Sequence, residues 1–153
     1  MESIEFTPDL IKSLKDNEIF VFGSNLKGSH IGGAARVAHN FFGAEWGVGV
    51  GLTGQTYAIP TMQGGVETIA PYVDDFIEFA REHREMKFFV TRIGCGIAGF
   101  RDEEMAPLFR NALGEPNIVL PRSFYNILTK LQEKGLVIFK SNYDLIEDAK
   151  NHS

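Results

Sequence analysis

The chain has 153 residues, 44% of them hydrophobic and 23% charged, with a formal net charge of −5. That length and apolar content suit one folded domain with a real core and exclude a disordered chain, and the acidic balance does not advertise nucleic-acid or membrane binding. A single cysteine, Cys95, excludes an internal disulfide and fits a reducing, cytoplasmic setting; neither a signal peptide in MESIEFTPDL nor a membrane-spanning apolar run is expected.

The segment TPDLIKSLKDN (7–17) predicts a short helix, with Thr7 as N-cap, Pro8 at the first helical position and Leu10, Ile11 and Leu14 on one face. EIFVFG (18–23) is a continuous apolar run ending in glycine, as expected of a buried strand. SNLKGSHI (24–31) is a polar glycine-containing loop, and GGAARVAHNFFG (32–43) a helix of small residues closed by Gly43. AEWGVGVGLTGQ (44–55) alternates glycine and valine and fits either an irregular strand or a long, lid-like loop. TYAIPT (56–61) is a short strand stopped by Pro60, and MQGGVET (62–68) a turn.

IAPYVDDFIEFAREHRE (69–85) predicts an amphipathic helix, burying Val73, Phe76, Ile77 and Ala80 on one face. MKFFVTRIG (86–94) is a second buried strand. DEEMAPLFRNALG (102–114) reads as a helix with Asp102 as N-cap, starting late or kinking at Pro107. NIVLP (117–121) is a third strand, SFYNILTKLQEKG (123–135) a helix, LVIFK (136–140) a last strand and YDLIEDAK (143–150) a last helix. Strands alternating with helices predict an α/β fold: one domain over 1–153, with a mixed, mainly parallel sheet and helices on both faces.

Within that order, GCGIAG (94–99) spells the glycine pattern of dinucleotide-binding turns. The dinucleotide reading then needs a carboxylate at the end of the next strand, where this chain has Pro121 and Arg122. What survives is a strand, a loop of exposed N–H groups and a helix start, which suits a phosphate in any fold. FGSNLKGSHIGGAARVA (22–38) repeats that order. In a parallel sheet both loops fall at the carboxyl edge, where they can hold a diphosphate from two sides. Asn25 can offer its amide to a sugar hydroxyl or shape the loop as an Asx-turn.

A strand ending in Asn, a GGA-type helix start, YAIPT, and a strand running into RIGCGIAGF together resemble the macrodomain family, whose ligand is ADP-ribose. The loop motif is most similar to the branch of the terminal ADP-ribose glycohydrolase, and FGSN…GGAA…YAIPT also resembles short phage and bacterial proteins of unassigned role. The resemblance covers about residues 4–121 and leaves 122–153 as a C-terminal addition. It implies a three-layer α/β/α arrangement binding ADP-ribose or a related nucleotide, free or on an ADP-ribosylated macromolecule, with no cofactor.

By the resemblance, Asp9 stands where an acidic residue contacts the adenine amine, and Asn25 where an asparagine faces the distal ribose. As a plain residue, Asp9 is also a first-turn helix carboxylate. Gly32 and Gly33, with Ala34 beside them, match the first loop; Gly94, Cys95, Gly96, Ile97, Ala98 and Gly99 match the diphosphate loop. Phe100 falls where the family places an aromatic against the ligand, or is a core aromatic. Cys95 reads as a tight loop residue rather than a nucleophile.

The family's catalytic groups are not matched. One branch has an Asp just inside the first helix, where this chain has Ala34, Ala35 and Arg36. The glycohydrolase branch has an Asp after GCG-x, here Ala98, and a Lys near Leu52 and Thr53; the paired-glutamate motif is absent. His30, two residues before the first helix, is the remaining candidate base. No His or Cys spacing suits a metal. Three functions stay open: nucleotide binding, hydrolysis of an ADP-ribosyl bond through His30, and a ligand-free interaction protein working through 122–153.

Overall fold

The computed structural model describes residues 4–135. The strand expected at 136–140 and the helix expected at 143–150 lie outside the described residues. Five strands form one sheet in the order β2-β3-β1-β4-β5. They are β1 (Glu18–Ser24), β2 (Gly51–Thr53), β3 (Thr56–Pro60), β4 (Lys87–Val90) and β5 (Ile118–Val119). The helices are α1 (Gly33–Phe41), α2 (Val66–Glu82), α3 (Asp102–Met105), a 3-10 helix (Ala106–Ala112) and α4 (Arg122–Glu133).

β1 is the central strand and is paired in parallel on both sides. Phe20 stands opposite Thr56 and Ser24 opposite Pro60 across β3, while Glu18 faces Lys87 and Val21 faces Val90 across β4. β5 continues the parallel set beside β4, and β2 closes the other edge as an antiparallel hairpin with β3. The period-2 alternation of β1 divides the core. Ile19 and Val21 join Ile59, Phe88 and Val90 against α2, the 3-10 helix and α4, whose Phe76, Phe109 and Phe124 are all fully buried. Phe20 and Phe22 face the other way, onto Ala35, Ala38 and Phe42 of the α1 region.

The helix expected over 7–17 does not form. The sheet edge takes its first residues instead: Phe6 bridges Leu120, the Thr7 N–H donates to the Leu120 carbonyl at 3.0 Å, and the Thr7 hydroxyl to the Val119 carbonyl at 3.1 Å. That pairing holds the start of the segment extended, and Leu10 is left exposed while Ile11 and Leu14 rest on the Phe20–Phe22 face. Helix α2 begins at Val66, ahead of the expected 69, so Pro71 is its sixth residue rather than its third.

The helix expected over 102–114 is α-helical only as far as Met105 and then tightens into the 3-10 helix around Pro107, which has no N–H for the ladder. Arg101, not Asp102, occupies its N-cap position, and the Arg101 N–H donates to the Glu104 carboxylate at 3.0 Å. Between α1 and β2, residues 44–50 are a loop, and only 51–53 are strand. Helix α4 sends Phe124 and Leu128 into the main core, so the first part of the expected C-terminal addition is integral to it.

Asn117 joins three elements. Its amide nitrogen donates to the Ala80 carbonyl at 2.8 Å and to those of His83 and Met86 at 3.2 Å, closing the end of α2 just before β5. An Asn117→Ala variant should lose about 1–3 kcal/mol of stability in urea unfolding, because buried carbonyls lose their donor.

Candidate functional site

Parallel pairing puts the carboxyl ends of β1, β3 and β4 on one edge. The chain leaves β1 toward α1 on one face and leaves β4 toward α3 on the other, since α1 and the 3-10 helix pack into opposite core clusters. A crevice opens where the connections diverge. It holds a pocket of about 500 Å³, lined by the ends of those strands and by both glycine loops.

The first loop is built by Asn25. Its amide donates to the Ser29 carbonyl at 2.8 Å and its side-chain oxygen accepts the Ser29 N–H at 3.0 Å, so the side chain shapes the loop by bridging it four residues on, not as the two-residue Asx-turn. A second segment packs against this loop. The Gly47 N–H donates to the Gly28 carbonyl at 2.9 Å, and Gly49 lies so close to the Asn25 carbonyl that a Cβ there would overlap it. Two imidazoles hold the same segment at successive carbonyls: His30 Nε2 donates to Glu45 and His39 Nδ1 to Ala44, each at 2.8 Å. Trp46 lies edge-on to both rings. His30 is 1% exposed and is not among the residues lining the pocket.

The loop delivers the chain into α1 with Gly32 at the N-cap, no capping side chain and no acidic residue in the first turn. The first ladder bond is Arg36 N–H to the Gly32 carbonyl at 3.3 Å. The amides of Gly33, Ala34 and Ala35 precede it and have no helical acceptor, and all three residues line the pocket.

The second loop closes on itself. Cys95 N–H donates to the Arg92 carbonyl at 3.1 Å, Gly99 N–H to Gly96 at 3.0 Å and Phe100 N–H to Gly94 at 2.9 Å. Gly94 has φ of +80°, and a Cβ there would sit 2.8 Å from Met105 Sδ, so the turn requires glycine and fixes the loop over α3. Among the described residues the amides of Gly96, Ile97 and Ala98 have no acceptor. Ile97 reaches across the crevice: its Cδ1 lies 3.1 Å from where a Gly32 Cβ would be. Two sets of open N–H groups thus line one pocket.

Of the residues expected at the site, Asn25, Gly32, Gly33, Ala34, Gly94, Cys95, Gly96, Ile97 and Ala98 line the pocket. His30, Gly99 and Phe100 do not; Phe100 packs against the main core and borders a second cavity with Arg92, Arg101, Asp102 and Glu103. Asp9 is exposed on the segment before β1. The guanidinium of Arg92 has its pKa raised by the Asp102 hydrogen bonds, and the charge of Asp9 adds a lesser part.

The sequence reading missed Thr61, Met62, Thr91 and Arg92, which also line the pocket. Each is the first or second residue after a parallel strand, and that position was the available signal. Arg92 is the one charged side chain among the lining residues, and its guanidinium grips Asp102 with Nη2 to Oδ1 at 2.7 Å and Nε to Oδ1 at 3.2 Å. Ile31, Met62 and Ile97 form an apolar rim, each more than half exposed.

Burial pushes the Cys95 thiol up to about 12, and the neighbouring Asp102 carboxylate adds to this; the thiol donates to the Ile93 carbonyl at 3.7 Å. A thiol shifted in that direction carries little thiolate near neutral pH, which disfavours a nucleophilic role. Burial pushes the Asp102 carboxyl up, but hydrogen bonds from Arg92, Cys95 and Ser123 together with the charge of Arg92 outweigh it and leave the group below the ordinary carboxylate range. Compared with known proteins, the chain matches no family model, no curated protein and no solved structure.

Iodoacetamide at pH 8 should alkylate Cys95 on the order of a thousandfold more slowly than free cysteine, as read by mass spectrometry, because so little thiolate is present. A carboxylate with a depressed folded pKa contributes stability that is full above its unfolded value of about 3.9 and fades as pH falls through the folded value. The stability advantage of the wild type over Asp102→Asn should therefore shrink in denaturation curves taken below about pH 4.

Proposed function

We propose that this chain is a macrodomain-like, three-layer module that binds ADP-ribose or a related nucleotide diphosphate, free or carried on an ADP-ribosylated macromolecule. One observation carries the reading: Gly33, Ala34 and Ala35 and also Gly96, Ile97 and Ala98 line the same pocket from two loops, and among the described residues their amides have no protein acceptor. A diphosphate has the charge and the oxygen count to take both sets. The start of α1 contributes about half a positive charge, and no carboxylate lies in its first turn to compete. Each charge-assisted hydrogen bond is worth about 1.5–3 kcal/mol, which supports local anion binding in a chain of net charge −5.

The apolar rim of Ile31, Met62 and Ile97 supports a nucleoside at one end of that diphosphate. The pocket's makeup favours binding over hydrolysis. Ala98 stands where one resembled branch carries an Asp and Ala34, Ala35 and Arg36 where another does, no carboxylate or imidazole is among its lining residues as far as the described residues go, and His30 is buried outside it.

Calorimetry with ADP-ribose, NAD, ADP and AMP tests the reading. Saturable heat with the diphosphates, and weaker heat with AMP, is expected; no heat from any of the four at high micromolar protein refutes it. Ala34→Glu places a carboxylate at the open amides and should weaken ADP-ribose binding about a hundredfold, while the thermal midpoint holds.

A further inference from the structure

Arg92 belongs to both cavities at this edge. It lines the pocket between the glycine loops and also a more open cavity of about 410 Å³ beside Phe100, Arg101, Asp102 and Glu103. It stands on the wall between the two. Its backbone leads into the diphosphate loop, since its carbonyl accepts the Cys95 N–H. Its side chain is 60% exposed, yet it is held from one side. Nε donates to Asp102 Oδ1 at 3.2 Å and Oδ2 at 3.3 Å, and Nη2 to Oδ1 at 2.7 Å.

That grip uses Nε and one N–H of Nη2. Among the described residues nothing accepts from Nη1, so a fork of N–H groups is left for another anion. The anchoring carboxylate is itself well fixed. Asp102 is the first residue of α3, and its side chain is only 15% exposed. A long surface arginine ordinarily loses much rotamer freedom on binding an anion. An arginine already clamped in the plane of its guanidinium has met that entropic cost in folding.

We propose that Arg92 is a ligand-binding residue whose Nη1 end contacts the diphosphate, and that Asp102 is the positioning residue that holds the guanidinium for it. The inference rests on the reading of the pocket as a diphosphate site, and it adds a side-chain cation to a site otherwise made of main chain. It also sets a preference. A ligand with two linked phosphates reaches both the loop amides and the arginine, whereas a single phosphate reaches one of them.

The test is a double-mutant cycle. Dissociation constants for ADP-ribose and for inorganic pyrophosphate are measured by calorimetry with the full chain as wild type, Arg92→Lys, Asp102→Asn and the double variant, with thermal midpoints recorded alongside. Arg92→Lys keeps the charge but not the two-pronged grip. Each single change should weaken both probes about tenfold or more. The double variant should be no weaker than the weaker single, because the two side chains act as one unit. A role confined to stability would move the midpoints and leave the dissociation constants alone.

Wild-type binding with Arg92→Lys unchanged overturns the arginine's part. Tighter binding by Asp102→Asn overturns the positioning role, since the carboxylate would then be the ligand's competitor, and so do losses that simply add. If wild type binds neither probe, the diphosphate reading itself falls and this inference with it. Should Asp102→Asn lose its folded circular-dichroism signature, Asp102→Glu, which keeps the charge but displaces the carboxylate by one methylene, replaces it with the same expectation.

Discussion

Parallel pairing of β1 with β3 on one side and β4 on the other brings three strand ends to a single edge. An antiparallel partner would have sent one of those ends to the opposite side and separated the two glycine loops. The alternation along β1 adds the second constraint. Phe20 and Phe22 draw α1 to one face, while Ile19 and Val21 seat the remaining helices on the other. The connections must therefore diverge as they leave the edge, and the pocket is the space they leave.

The walls of that space are mostly main chain. Glycine and alanine at 32–35 and at 94, 96 and 98 carry little side chain over their own N–H groups, while Ile97 reaches across to Gly32. The side chains nearby that carry polar atoms are largely occupied with the scaffold. Thr91 Oγ1 donates to Val21, Thr61 Oγ1 to Ser24, and Asn25 to its own loop. Gly94 is required chiefly by its backbone, with φ of +80°, and Met105 Sδ lies 2.8 Å from where its Cβ would be.

The buried strands were legible because continuous apolar runs such as EIFVFG and MKFFV have few other readings, and α2 because its 3.6-residue period is long. The segment 7–17 was misread because its local signals for a helix are outweighed by a sheet edge over a hundred residues away, which takes the Thr7 hydroxyl. WGVGVG stayed ambiguous because glycine alternating with valine has the same period whether it pairs or not; only its contact with Asn25 decides. At the pocket, the loop glycines carried their own signal. The grip of Asp102 on Arg92 and of Glu45 on His30 did not, since contacts ten and fifteen residues apart across a turn have no period to read. Open main-chain amides leave a faint trace in sequence, chiefly a demand for small residues.

The two imidazoles that fasten residues 44 and 45 do so beside Trp46, the chain's one tryptophan. The indole is about half in solvent and edge-on to both rings, so its electronic surroundings change as soon as that fastening slips. Its ultraviolet emission is thus a built-in optical gauge. The unlabelled protein carries its own spectroscopic reporter on the packing of residues 44–46 against both imidazoles.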